Sequence, residues 1–421
     1  MLTTKPRGTN DILPGKVERW RELENVIHKI CKEYGFQEIR TPIFEHTELF
    51  ARGVGETTDI VEKEMYSFLD RGERSITLRP EGTAPTVRAF LENKFYAEPQ
   101  PTKLYYIGPM FRYGRPQAGR FRQFHQFGVE VFSTDDPSID AEVITLAMDF
   151  YQRLGLKGLE LHLNSVGCSK CRPVHREKLL AHLKDRYEEL CPTCQGRFEK
   201  NPLRIFDCKS PSCQELISTA PTITDCLCDE CKEHFELVQK YLTGINVDYT
   251  VDKKLVRGLD YYTKTAFEIM VEDIGAQSSI GGGGRYDRLV KECGGDDTPG
   301  IGFAVGLERV LLTMEQQGLL KDQKFRQDVF VATVDPSLDL EAFKILKKLR
   351  SWGISAEKDY MGRSLKSQFK YADKLGVSHV IILGQEELAN GCLTLKTMET
   401  GQQKLVQLTD LESELIGNIK E

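Results

Sequence analysis

In the stretch KLYYIGPMFRYGRPQAGRFRQFHQFGVEVF, residues 103–132, Phe121, Phe127, Val129 and Val131 fall on one parity, and Arg122, Phe124, Gln126 and Glu130 fall on the other. A period of two marks a strand with one apolar face. The opposite face carries a ring, an amide and a carboxylate in line. The stretch therefore reads as two strands joined by a basic loop, with Arg112 ending the first strand and Arg115 and Arg120 in the loop. Arginine forks suit phosphate and an aromatic ring suits a base. Taken alone, the same pattern also fits an amphipathic hairpin with a solvated charged face.

Upstream, Val17, Trp20, Leu23, Ile27, Ile30 and Cys31 recur at helical spacing, which predicts a helix over 17–34 stopped by Gly35. A strand is expected over 38–44; Pro42 cannot donate to a ladder, which places that strand at an edge or a subunit contact. SITLRPEGTAPTVRAF reads as a short strand, a turn at 80–82 and a helix with Thr83 as its cap and Pro85 in its first turn. Glu81 is thereby presented at a strand-to-helix corner, where a solvated turn residue is the plainer reading.

Downstream of the hairpin the pattern predicts a helix over 140–154, a strand over 159–163, and helices near 173–190 and 229–242 bracketing a loop-rich middle. Residues 167–244 thus read as an insertion with its own small core. DYTVDKKLVRGLDYYTKTAFEIMV reads as a pair of strands that bend at Arg257 and Gly258. The glycine run of SSIGGGGRYDRLV, between a strand and a helix, permits close backbone approach, with a flexible hinge as the alternative. GIGFAVG, residues 300–306, is a buried-strand pattern, and the helix after it holds Arg309 in its first turn. A cation there opposes the helix dipole and calls for an anion or a carboxylate. From Arg326 the order strand, helix, strand, helix, strand predicts a separate α/β domain over 326–421. Its helices carry Lys344, Lys347, Lys348, Arg350, Lys366, Lys370 and Lys374, a solvated face or a nucleic-acid contact.

Composition adjusts this picture at four points. At 421 residues the chain calls for two or three domains. No run of about eighteen apolar residues occurs and MLTTKPRGTN has no apolar segment behind a basic start, so the expectation is a soluble, cytoplasmic protein with no membrane partner. A net charge of −6 argues against a protein coated in nucleic acid, so any basic site is local. Of twelve cysteines, nine lie between Cys168 and Cys231, which points to metal or free thiols before disulfides. Cys168-x-x-Cys171 with Cys191-x-x-Cys194 has the spacing of a tetrahedral zinc site, and Cys208, Cys213, Cys226, Cys228 and Cys231 are alternatives or a second site. Structural zinc and reduced thiols in a small helical core both stay open.

TPIFE, LRPEGT, FRYGRPQAGRFRQFHQ, LVRGLDYYT, GGGGRYD and GIGFAVGLER, in that order, resemble histidyl-tRNA synthetase of the class II aminoacyl-tRNA synthetases over nearly the whole chain. The resemblance implies an α+β fold: an antiparallel catalytic sheet flanked by helices over 1–325, interrupted by the 167–244 insertion, and a C-terminal anticodon-binding domain over 326–421. It also implies a homodimer built partly through the Pro42 strand. The implied reaction joins histidine to ATP, with Mg²⁺, and passes the histidyl group to its tRNA. By the same resemblance Arg112 and Arg257 act on the α-phosphate, Phe124 stacks on adenine, and Arg120 and Arg309 hold the outer phosphates. Glu81, Thr83 and Gln126 match the ammonium ligands. Glu130 and Tyr262 match the imidazole clamp, with Tyr261 beside it and Gly82 and Tyr286 in the histidine pocket. The rival reading is a regulatory paralogue that binds histidine and a metabolic enzyme; such paralogues generally lack the C-terminal domain and erode the arginines, all present here. A zinc-stabilised nucleic-acid-binding module is a third reading, and it leaves Arg257 and Glu130 without a purpose.

Overall fold

The computed structural model describes residues 3–54, 58, 60–271, 279–320 and 326–419. The chain divides into two compact units, Met1–Lys321 and Asp322–Glu421; the expected boundary at 325/326 falls beside 321–325, outside the described residues.

The first unit is built on an eight-stranded sheet. In spatial order its central strands are Thr102–Phe111, Gln123–Phe132, Gly300–Gly306, Ser279–Arg285, Thr263–Val271 and Leu159–Ser165, all antiparallel. Two-residue strands, Gln37–Glu38 and Thr250–Val251, add in parallel at the two edges. Phe127, Val129, Val131, Ile301, Phe303, Val305, Phe267 and Ile269 face one way and bury against the helices Val17–Glu33 and Pro137–Arg153, the alternation expected of one covered face.

The other face is hollow because the sequence supplies almost no side chains there. One row across the sheet runs Gly128, Ala304, Gly282, and the next runs Glu130, Gly302, Gly284, Ala266. The glycine run is therefore itself a strand in the middle of the sheet and not a hinge. Close approach explains its composition: a Cβ on Gly282 would lie 2.6 Å from the Phe267 carbonyl oxygen, and one on Gly283 would lie 2.0 Å from that of Gly302.

Three other expectations need correction. The strand over 38–44 is two strands in two sheets: Gln37–Glu38 edges the large sheet, while Phe44–His46 joins Ser75–Leu78 and Tyr66–Leu69 in a small one. Pro42 sits at the break, where the buried Arg79 donates to the Thr41 carbonyl at 3.0 Å. Thr83 is the first residue of the helix Thr83–Glu92 and not its cap. The Glu81 carboxylate takes that role, accepting from the backbone N–H of Thr83 at 2.7 Å and of Ala84 at 2.9 Å. The middle of the insertion is more helical than loop-rich, with helices Pro192–Lys200 and Pro211–Ser218 around a core of Leu179, Leu183, Ile205, Phe206, Leu216 and Ile217. Proline at the first turn of each helix, with little apolar periodicity, hides them in sequence.

The helix Asp229–Gly244 puts Phe235, Val238 and Leu242 into the core of the large sheet. Its His234 meets Asp140 at 2.8 Å. Asp140 in turn pairs with Arg285, both fully buried, at the end of the glycine strand.

The second unit has a five-stranded sheet ordered Ala356–Lys358, Val329–Thr333, His379–Leu383, Cys392–Thr397, Gln403–Gln407. The first three strands are parallel, joined through the helices Asp339–Ser351 and Leu365–Leu375. The sequence reading ended at the third strand and missed the antiparallel pair and the helix Leu411–Ile419 after it. Among the described residues no helix is long and apolar enough to cross a membrane.

Candidate active site

A cavity of about 210 Å³ occupies the hollow face of the large sheet. Gln126, Gly282, Gly302 and Ala304 form its floor, and Glu81, Thr83, Arg112, Arg257, Tyr261, Tyr262 and Tyr286 line the rest. Eight side chains singled out by sequence thus meet around one space.

Glu81 reaches the cavity from the corner after the strand Ser75–Leu78 and is held rigidly as the cap of the following helix. Burial raises its pKa, and the two backbone N–H donors and Arg112 offset part of that. Gly82 is needed behind it, since a Cβ there would lie 2.2 Å from the Tyr106 ring. Gln126 has a buried side-chain oxygen without a hydrogen-bond partner among the described residues. An acceptor left bare in a closed site is costly unless a donor arrives with a ligand.

Glu130 lies where the strand row reaches Gly302, and a Cβ on Gly302 would stand 2.0 Å from its Oε2. The missing side chain at 302 leaves this oxygen beside the cavity. The hydroxyl of Thr83 donates to Oε1 at 2.7 Å, that of Tyr106 at 3.3 Å, and that of Tyr286 donates to Oε2. Burial pushes the Glu130 pKa up to about 8 against the pull of these hydroxyls. Tyr106 was not singled out by sequence. Its ring spans Gly82 and Gly128, so two glycines far apart in the chain were the available signal.

The arginines enter from opposite sides. Arg112 follows the strand Thr102–Phe111, and Arg257 precedes the strand Thr263–Val271, with three strands between. At the usual spacing those two strands are about 19 Å apart, so both side chains reach inward. Arg112 donates Nε to the Pro80 carbonyl at 2.7 Å and stands 5.3 Å from the Phe124 ring. Burial lowers its pKa.

Arg257 crosses the strand at Gly282, whose Cβ would lie 2.9 Å from Nη1. It pairs with Glu268 at 3.2 Å, and its Nε has no hydrogen-bond partner among the described residues. Asp260, its neighbour in sequence, instead accepts from Asn201 at 2.8 Å. Burial opposes the charge of Arg257, and Tyr262 and Glu268 more than compensate, so its pKa lies above the usual arginine value.

Phe124, Arg120 and Arg309 stand outside the cavity wall. Arg309 lies against Gly119 of the basic loop, and its charged neighbours are Arg120, which opposes its charge, and Glu268, which supports it. Arg112 and Arg120 also oppose each other. Like charges held together beside a cavity favour an anion between them. Glu308, missed by sequence, fixes the same wall by accepting from the His125 backbone N–H at 2.9 Å. A second cavity of about 400 Å³ shares Arg257, Leu259 and Tyr262 with the first and is lined by Arg172, Arg176, Lys200, Arg204 and Arg288.

The expected cysteine set is rearranged. Cys168 and Cys171 meet Cys228 and Cys231, while Cys191 and Cys194 meet Cys208 and Cys213. The two C-x-x-C pairs do not join each other, and Cys226 is in neither group.

A histidyl-tRNA synthetase family model matches residues 8–185 and 212–310, and an anticodon-binding-domain model matches residues 328–418. The chain is 64% identical over 411 residues to a histidine–tRNA ligase of Desulforamulus reducens, covering 98% of each. It is 53% identical over 416 residues to one of Clostridioides difficile, covering 99% of each. Among solved structures, apo histidyl-tRNA synthetase of Staphylococcus aureus is 44% identical with a TM-score of 0.84, over 98% of this chain and all of that one. A Bacillus halodurans chain described as an ATP phosphoribosyltransferase regulatory subunit/histidyl-tRNA synthetase is 20% identical with a TM-score of 0.61 and shares the fold alone. Matches this deep, running through both units, settle the relationship: the chain belongs to the histidyl-tRNA synthetase family.

Proposed function

We propose that this protein activates histidine with ATP and transfers it to the terminal adenosine of its tRNA, using the cavity on the hollow face of the sheet. The observation that carries the proposal is the placement of Arg112 and Arg257 in one small cavity, reaching in from opposite sides. Attack by the histidine carboxylate on the α-phosphate concentrates negative charge on that group. Fixed guanidinium donors on both sides stabilise the charge without reorganising. ATP enters as its magnesium complex, with Phe124 stacking on adenine and Arg120 and Arg309 taking the outer phosphates. The mutual opposition of these arginine charges in the free protein supports that role.

In the same proposal Glu81, Thr83 and Gln126 receive the ammonium, and the bare oxygen of Gln126 is the acceptor that a substrate N–H would satisfy. Glu130 and Tyr262 take the two imidazole nitrogens, with Gly82, Tyr261 and Tyr286 shaping the pocket around the ring. An apolar amino acid of similar size would leave buried polar groups unpaired.

The basic second cavity adjoins Arg257 and suits the acceptor end of a tRNA. The exposed lysines of the Asp339–Ser351 and Leu365–Leu375 helices suit its anticodon region. Ile43, Phe44, Phe68 and Leu69 on and beside the small sheet are 44 to 67% exposed, an apolar surface that suits a second copy of the chain in a homodimer. The setting is cytoplasmic protein synthesis.

The test is aminoacylation by the full-length protein with labelled histidine, MgATP and total tRNA. The expected result is label in the histidine-accepting tRNA alone. Histidine binding without any charging of tRNA would favour the regulatory reading instead.

A further inference from the structure

We propose that the insertion holds two structural zinc ions, one bound by Cys168, Cys171, Cys228 and Cys231 and the other by Cys191, Cys194, Cys208 and Cys213. In each group the four sulfurs lie within 4.8 Å of one another. Cys168 Sγ is 3.6 Å from Cys171 Sγ and 3.8 Å from Cys228 Sγ, and Cys191 Sγ is 3.7 Å from Cys208 Sγ. Four thiolates at about 2.3 Å from one zinc ion form a tetrahedron with an edge of about 3.8 Å. These separations are far above the roughly 2.05 Å of a disulfide, and disulfides would pair sulfurs instead of gathering four around a point. An iron–sulfur cluster places two or more irons and their bridging sulfides between the thiolates and spreads its ligands wider.

Hydrogen bonding makes the same case. The backbone N–H of Lys170 donates to Cys168 Sγ at 3.3 Å and that of Cys228 to Cys171 Sγ at 3.2 Å. In the second group Ser210 donates to Cys208 Sγ at 3.4 Å and Cys191 to Cys213 Sγ at 3.3 Å. Donors turned onto sulfur suit thiolates, whereas four neutral thiols would crowd their protons into one centre.

Each group also uses a helix start in the same way. Cys228 stands at the N-cap position of the helix Asp229–Gly244 with Cys231 in its first turn, and Cys191 stands at that of the helix Pro192–Lys200 with Cys194 in its first turn. The spacing brings both sulfurs to one side of the turn. Two groups of unrelated sequence position repeat one geometry, which incidental packing of reduced thiols does not explain.

The two ions have different mechanical work. The first joins the beginning of the insertion to its end, pinning residues 57 apart in sequence and closing the domain at its base. Gly167, at φ +65°, fits there only because it lacks a side chain; a Cβ would lie 2.7 Å from that of Cys171. Next to Cys171, Arg172 donates to the carbonyls of Val166 at 3.2 Å, Asp260 at 3.4 Å and Tyr262. The first ion thereby anchors the segment that carries Tyr261 and Tyr262. The second ion ties together the short helices between 191 and 213, whose apolar core is small.

The test uses the full-length protein, expressed with zinc and purified under a phosphine reductant without chelator. Native mass spectrometry and elemental analysis are expected to give two zinc ions per chain, no iron and no disulfide. Cys168→Ser with Cys228→Ser, and separately Cys191→Ser with Cys208→Ser, are each expected to lower the count to one. Exchange of wild-type zinc for cobalt(II) is expected to give the intense visible bands of tetrahedral thiolate coordination, so the proposal stays testable if a variant does not fold. Fewer than two zinc ions after zinc saturation, iron in their place, or a count of two that survives both double substitutions would overturn it.

Discussion

Replacing Arg257 with alanine separates a group that acts on a transition state from one that holds a strand bend. In the free protein the side chain pairs with Glu268 at 3.2 Å, and its charge centre stands 5.8 Å from the Tyr262 ring. The paired side chains are 18% and 21% exposed. Glu268 keeps a second partner when Arg257 is removed, since Ser279 donates to it at 2.5 Å. A part-buried pair of this kind contributes on the order of 1 kcal/mol to stability, a few degrees in melting temperature at most. A donor aimed at developing charge is worth more: its loss typically costs about a hundred- to a thousandfold in rate, or about 3 to 4 kcal/mol. The expected variant is therefore folded, slightly less heat-stable, and slow in adenylate formation, with KM for histidine and ATP changed much less than kcat. Arg257→Lys is expected to recover only part of the rate, because an ammonium lacks the planar fork. Single-turnover adenylation and a melting curve on the same preparation give both numbers. A folded variant with a lowered melting temperature and an adenylation rate within about threefold of wild type would refute the reasoning and return Arg257 to a structural part.

Gly282→Ala places a methyl within 2.9 Å of the Arg257 guanidinium and 2.6 Å of a backbone oxygen, so adenylation is expected to slow although Arg257 is intact; an unchanged rate in the folded variant would contradict the placement. Glu130→Gln is expected to raise KM for histidine far more than for ATP. It is also expected to flatten the stability profile. The buried Glu130, with its pKa near 8, keeps a proton that the unfolded chain gives up, so wild type loses stability as pH rises from about 4.5 and levels off above about 8. Melting temperatures of the two proteins at several pH values across that window test the sign, and a parallel pair of curves would remove Glu130 as the titrating group. Deleting residues 322–421 is expected to weaken tRNA charging more than adenylate formation, and equal tRNA affinity before and after deletion would refute the assignment.

The hairpin was legible because its strand alternates large apolar and polar residues, and GIGFAVG because it is uniformly apolar and ended by a helix. The GGGG strand was not, since residues without side chains carry no periodicity; only the room needed by Arg257 and by neighbouring backbone shows why glycine is there. Pro42 signalled an edge but not that the chain changes sheets beside it. The corner at 80–83 revealed Glu81, yet its capping bonds depend on a carboxylate folding back over the helix start. Cysteine spacing located the thiols but not their partners, because Cys171 meets Cys228 only when the insertion closes on itself. Tyr106 lay hidden on an ordinary strand, since its role comes from contacts with Gly82, Gly128 and Glu130, all distant in sequence or across the sheet. The arginines were found by type and motif, and their approach from opposite sides of one cavity belongs to the strand order.

The central claim is activation of histidine in the cavity between Arg112 and Arg257. Exchange of labelled pyrophosphate into ATP, run with each amino acid in turn and without tRNA, measures that step directly. The account predicts exchange that depends on histidine and on no other amino acid. A folded, histidine-binding protein that catalyses no exchange, or one that exchanges equally well with another amino acid, would contradict it.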